Sequence, residues 1–185
     1  MEAKVLSRRH FIQMAAVASG GILLMPGCAN QAIKSLMRFF TDIEASLMDT
    51  IVEQIIPTDE WPGGKDAGVT NFIDKQLMGP YSRYQATYRN GLKAILETCK
   101  AKFQKKFEEL QWEKQTQFLE TMEAGKMEGE LWKDELDSLF FGLINSHSMQ
   151  GYYGSPRHGG NKDNISYQML KLDYPVILGQ NRYQN

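Results

Sequence analysis

The side chains able to move a proton or hold a metal are few. Beyond residue 27 the chain has two histidines, His147 and His158, and two cysteines, Cys28 and Cys99. His147 continues an apolar helical pattern, which reads as a partly buried, hydrogen-bonded residue rather than a catalyst. His158 lies in a glycine-rich stretch and reads as a surface contact. A small oxidoreductase using either one as general base is the alternative these residues leave open. No Cys-x-x-Cys-His run and no zinc-like Cys/His spacing occurs. Asp59, Glu60 and Asp66 fall in one loop and could approach a cation, although an exposed acidic turn is the simpler reading. Gly151, Gly154, Gly159 and Gly160 neither follow a strand nor open a helix, so they make no phosphate-binding fingerprint. Cys99 sits among apolar residues at helical spacing, as a small buried hydrophobe does. The sequence therefore predicts no catalytic, cofactor or metal residues in this chain.

The first residues carry an address. Ser7-Arg8-Arg9 and Phe11 open an apolar run to Met25 that Ser19, Gly20 and Gly21 interrupt. That run is too short and too broken for a spanning helix, which needs about 20 apolar residues. A basic segment before a modest apolar one is the secretory pattern, and the paired arginines point to the twin-arginine (Tat) route. The segment closes Leu24-Met25-Pro26-Gly27-Cys28, which resembles a lipobox with Cys28 as the lipidated residue. Residues 1–27 thus read as a Tat signal peptide of the lipoprotein type, engaging the Tat translocase. The expected location is the periplasmic side of a bacterial membrane, held by lipid at Cys28. A plain Tat peptide cut near Ala29 is the simpler alternative.

What remains must fold by itself. The chain has 185 residues and a formal net charge of −1. The leader contains Lys4, Arg8 and Arg9 against Glu2, so the rest holds 18 basic and 21 acidic side chains. That mildly acidic balance does not suit a nucleic-acid binder. Residues 28–40 read as a tether and 41–185 as one domain. Thr41 and Glu44 form a capping box, followed by Ile43, Leu47, Met48, Ile51, Val52, Ile55 and Ile56 on one helical face, with Pro57 as the stop. Further helices are expected around Val69–Leu77, from about Ser82 to Lys106, around Trp112–Met122, and from Leu131 to His147. Gly91 inside the third is placed to allow a close helix crossing. The fold class is all-α, a single compact domain of about five helices with a long irregular Gly/Tyr-rich segment from Gly151 onward.

Taken together, several stretches resemble the gluconate 2-dehydrogenase subunit 3 family. They are Phe39-Phe40 with the helix ending Ile55-Ile56-Pro57-Thr58-Asp59, then Gly68-Val69, Phe72-Ile73-Asp74, Phe107-Glu108-Glu109-Leu110 with Gln115 and Phe118-Leu119, and above all Gly151-Tyr152-Tyr153-Gly154-Ser155-Pro156 with Gly159-Gly160-Asn161. The chain departs from the family pattern at Ser155, Tyr167 and Leu172-Asp173-Tyr174-Pro175. The resemblance implies a non-catalytic small subunit of a membrane-associated dehydrogenase acting on sugars or sugar acids. FAD would sit in a GMC-type flavoprotein large subunit, with a cytochrome c subunit in some complexes, and the small subunit would escort its partner through export. Trp61, Tyr152, Tyr153, Pro156, Arg157, His158 and Asn161 are the expected partner contacts. A stand-alone saccharide-binding lipoprotein that stacks sugars on Trp61 and the tail tyrosines is the other alternative.

Overall fold

A computed structural model describes residues 37–172, so Ser7, Arg8, Arg9, Phe11 and Cys28 lie outside the described residues. Helix α1 (Asp42–Ile55) begins where the capping box requires: Thr41 Oγ1 accepts the Glu44 N–H and the Glu44 carboxylate accepts the Thr41 N–H. Ala45, Leu47, Met48, Ile51 and Val52 are buried. Ile43, expected on the same face, is exposed, although Phe40 before it and Ala45 after it are buried. The helix stops short of Pro57, which disfavours helical backbone at the residue before it.

Helices α2 (Val69–Leu77), α3 (Gln85–Phe103), α4 (Trp112–Glu123) and α5 (Leu136–Tyr153) follow. Among the described residues the regular structure is all helix, and they belong to one compact unit, Ser35–Asn185. α5 packs against each of the other four and is the centre of the bundle. None of the described helices is long and apolar enough to cross a membrane.

The α3–α5 crossing depends on Gly91, as the sequence suggested. A Cβ there would lie 2.1 Å from Phe140 Cδ1, so only a glycine lets the ring lie against the α3 backbone. Tyr88 and Phe140 then meet edge to face at 5.3 Å, both wholly buried.

Three boundaries differ from the sequence reading. Ser82–Tyr84 is a 3-10 turn ahead of α3, and Gln104 (φ 54°) ends that helix before Lys105 and Lys106. Leu131 and Trp132 do not belong to the fifth helix. They form a separate 3-10 turn, Glu130–Trp132, pinned to α3 by a 2.9 Å bond from Trp132 Nε1 to Thr98 Oγ1. Asp134 and Glu135, at φ 59° and 57°, separate that turn from α5. Gly151, Tyr152 and Tyr153 are the last turn of α5, not the start of an irregular segment. Beyond them come two 3-10 turns, Pro156–His158 and Lys162–Asn164, and a short sixth helix, α6 (Ile165–Met169).

Gly91→Ala should destabilise the domain by about 1–3 kcal/mol through overpacking against Phe140, read as a lower urea midpoint. Combined with Phe140→Leu, which makes room for the methyl, the loss should be smaller than the sum of the two single losses.

Candidate functional site

His147 faces the bundle interior from α5. The Tyr81 ring stacks on it at 4.1 Å and 11°, and Tyr84 closes from 5.5 Å. Tyr88 Oη lies 2.9 Å from Nδ1. Burial, with a smaller contribution from the Arg83 charge, holds the imidazole pKa down at about 4. A general base needs a pKa near working pH and a path to substrate. At 4% exposure His147 is a neutral group locked between tyrosines, which argues against the small-oxidoreductase alternative at this residue. Cys99 is likewise inert: burial, then the nearby Glu108 carboxylate, pushes its thiol up to about 12.

α2 holds a feature that sequence reasoning missed. Asp74 is fully buried, and its carboxyl accepts three backbone N–H groups, from Arg38 and Phe39 at 2.8 Å and from Phe40 at 2.9 Å. Phe40 is buried against Tyr88, and Arg89 lies over the Phe39 ring and donates to the Phe39 carbonyl. The last residues of the expected tether are thus part of the folded body. The available signal was an aspartate in the apolar run Phe72-Ile73-Asp74, since a buried carboxyl demands donors.

The loop that follows α5 is fastened to the same helix. Asn71 Nδ2 donates to the Gly159 carbonyl at 2.7 Å and Lys75 Nζ to the Arg157 carbonyl at 3.1 Å. Asn161, wholly buried, donates to the Gly154 carbonyl and accepts the Ser166 N–H, both at 2.9 Å. A Cβ on Gly160 would lie 2.2 Å from the Gly151 carbonyl oxygen, so the loop touches the end of α5 backbone to backbone. Two of the expected partner contacts lie in the interior of this domain. Asn161 is internal, and Tyr152, only 3% exposed, points its hydroxyl inward to the Pro62 carbonyl at 2.8 Å. Their sequence context looked like surface because turn residues are normally exposed, whereas this loop folds back on the helix that precedes it.

The other expected contacts do reach the surface. Tyr153, Arg157 and His158 are exposed, Trp61 and Pro156 half-buried. Arg157 Nε donates to His158 Nε2 at 3.0 Å. The Tyr152–Pro62 bond and the 5.0 Å edge contact of Tyr152 with Tyr153 set the Trp61 loop beside the end of α5. Tyr153 and His158 border an open cleft of about 600 Å³, whose walls also include Phe72, Tyr81 and Met149, with Gln76 and Gln150 as polar lining. Tyr81 donates to the Gln150 side-chain carbonyl, and so its ring serves both as the lid on His147 and as a wall of the cleft. Of these walls, the sequence had placed only Phe72, as part of the second helix, and Tyr81 and Met149 carried no reading. Among the described residues, no three His, Cys, Asp or Glu side chains gather in a way that could hold a metal ion.

The architecture defines a small all-α domain in which residues 38–40 and 157–159 are both fastened to α2, with an aromatic, methionine-bearing cleft between α2, α5 and the 3-10 turn after α5. The family model for gluconate 2-dehydrogenase subunit 3 matches residues 42–173, and the chain belongs to that family, a family of dehydrogenase-complex subunits. Searches of curated proteins and of solved structures return no significant match.

Asp74→Asn replaces one acceptor oxygen with a donor facing three N–H groups and should cost about 3 kcal/mol. The urea midpoint should fall, and trypsin should cut after Arg38 faster than in the parent. For His147 the folded pKa is depressed from 6.5 to about 4, so between those values the unfolded chain binds the extra proton. Stability is complete above pH 6.5 and is lost progressively as pH falls to about 4. Unfolding free energies measured across that window should show the slope, and His147→Gln should flatten it.

Proposed function

We propose that this chain is the non-catalytic accessory subunit of a periplasm-facing, FAD-dependent dehydrogenase of sugars or sugar acids. It binds a GMC-type flavoprotein subunit, takes that folded partner through Tat export with its own signal (Ser7, Arg8, Arg9, Phe11), and stabilises it at the membrane through lipid on Cys28. A cytochrome c subunit is a further partner in this reading, and the flavin belongs to the large subunit.

Family membership supports the complex, and the observation that carries the docking role is the cleft. Tyrosine, phenylalanine and methionine are the residue types that enrich interface cores, and a polar rim of the kind Gln76, Gln150 and His158 would supply surrounds such cores. Methionine adapts to a partner's shape at little cost in strain. The Asp74 bonds suit an escort, because they root the segment that follows the leader in the folded domain. Force or position imposed on the address would then reach the body through a fixed point.

Co-expression with the flavoprotein subunit tests the reading. Changing Arg8 and Arg9 together to Lys should leave the flavoprotein in the cytoplasm, active and flavin-loaded. Tyr153→Ser with Met149→Ser should reduce co-purification of the two subunits at least tenfold while the small subunit is still exported. Normal export of the flavoprotein beside the arginine-to-lysine chain would overturn the proposal.

A further inference from the structure

The chain is close to neutral overall, but its charge is uneven. Lys100, Lys102, Lys105 and Lys106 fall within seven residues at the C-terminal end of α3, with no acidic residue among them, and all four are exposed. Lys114 joins them from α4. Together with Lys102 it borders a shallow groove of about 140 Å³ that includes Phe103, Phe118 and Met127. Phe103 is 37% exposed at the tip of the helix.

Helix electrostatics account for only part of this. Cations are favoured in the last turn, where Lys100 and Lys102 stand, but the effect fades beyond it, and Lys105, Lys106 and Lys114 lie outside that turn. Two of the neighbouring carboxylates are taken by other lysines. Glu97 pairs with Lys93 and Glu130 with Lys133. Glu109 accepts the Lys106 backbone N–H, Glu108 Oε2 is buried with no hydrogen-bond partner, and Glu128 borders a groove with Lys102 without an ion pair to it. Among the described residues none of the four lysines has an ion-pair partner. A cluster of unneutralised lysines around an exposed aromatic ring is poor material for a protein interface, whose core is depleted in lysine. It matches an anionic lipid surface, which attracts each cation without requiring a shaped pocket and accepts an aromatic ring at headgroup depth.

We infer that the lysine-rich end of α3 is a docking surface for an anionic phospholipid membrane. The inference extends the membrane-associated reading above by giving the domain a contact, and hence an orientation, of its own. Eight residues lie between Cys28 and Met37, so nine peptide steps give the tether a reach of at most about 32 Å.

The test uses the full chain as Cys28→Ser, so that a failure of lipidation leaves the measurement untouched. Binding is read by co-sedimentation with vesicles of pure phosphatidylcholine and with vesicles in which phosphatidylglycerol replaces about a third of the lipid. Changing Lys100, Lys102, Lys105 and Lys106 to Gln should lower partition onto the phosphatidylglycerol vesicles at least tenfold, since each cation contributes about fivefold near an anionic surface. The same four changed to Arg should keep it. A control removing equal charge elsewhere, with Lys65, Arg157, Lys162 and Lys171 changed to Gln, should lower it less than twofold; the leader is common to all variants. Equal losses in the two Gln variants would overturn the inference. So would a patch variant that binds vesicles like the parent but no longer co-purifies with the flavoprotein subunit, which would make the patch a protein interface.

Discussion

A carboxyl group with no exposed surface has to find its hydrogen bonds inside the protein, and the rest of this structure is arranged around how Asp74 does so. Its donors are the consecutive backbone N–H groups of Arg38, Phe39 and Phe40, thirty-odd residues earlier in sequence. Meeting that demand draws the chain across α2 and seats Phe40 on Tyr88. It also brings Arg89 within reach of Glu44, the residue that completes the α1 capping box. Two polar residues on the same short helix, Asn71 and Lys75, hold the tail. Nine residues of helix therefore fasten both flanks of the domain, while α5 supplies the apolar surface on which the helices converge.

That division explains what could be read from the sequence. Features set by a few neighbouring residues were legible: the Thr41–Glu44 box, the stop at Pro57, the α2 boundaries, and the need for glycine at position 91. The breaks at Gln104 and at Asp134-Glu135 were not, because the left-handed backbone there is taken by Gln104 and Glu135, which rarely adopt it, with no glycine to mark the break. Asp74 was visible only as an anomaly, since its partners lie far away in sequence. Tyr152 and Asn161 misled for the same reason. Their local composition is that of a surface loop, and their burial follows from Gly160 meeting Gly151 across a turn that no short-range pattern encodes.

The cleft was illegible in a different way. Its walls come from separate stretches of the chain, and only the third dimension sets Phe72, Tyr81, Met149 and Tyr153 around one space. Tyr81 ties that surface to the interior. One face of its ring lies on the neutral imidazole of His147, which is bonded to Tyr88, while its hydroxyl reaches Gln150 on the surface of α5. An aromatic group held at both ends presents its area with little rotamer entropy left to lose on binding, and such pre-organisation favours affinity. His147, which the sequence already marked as a buried, hydrogen-bonded residue, thus acts as the stiff backing of one wall of the cleft.

Two surfaces of opposite character then have to be reconciled in one small domain. The cleft combines aromatic rings, a thioether and neutral amides, materials that gain by excluding water against a complementary protein shape. The end of α3 combines mobile ammonium groups with one exposed ring. Lysine side chains lose considerable entropy when fixed in a single geometry and lose less against a fluid layer of anionic headgroups. A protein partner on the lysines would have to desolvate four charges, and a lipid layer in the cleft would leave its aromatic walls without shape complementarity. Each surface therefore disfavours the ligand proposed for the other, so the two proposed contacts would not compete for the same residues.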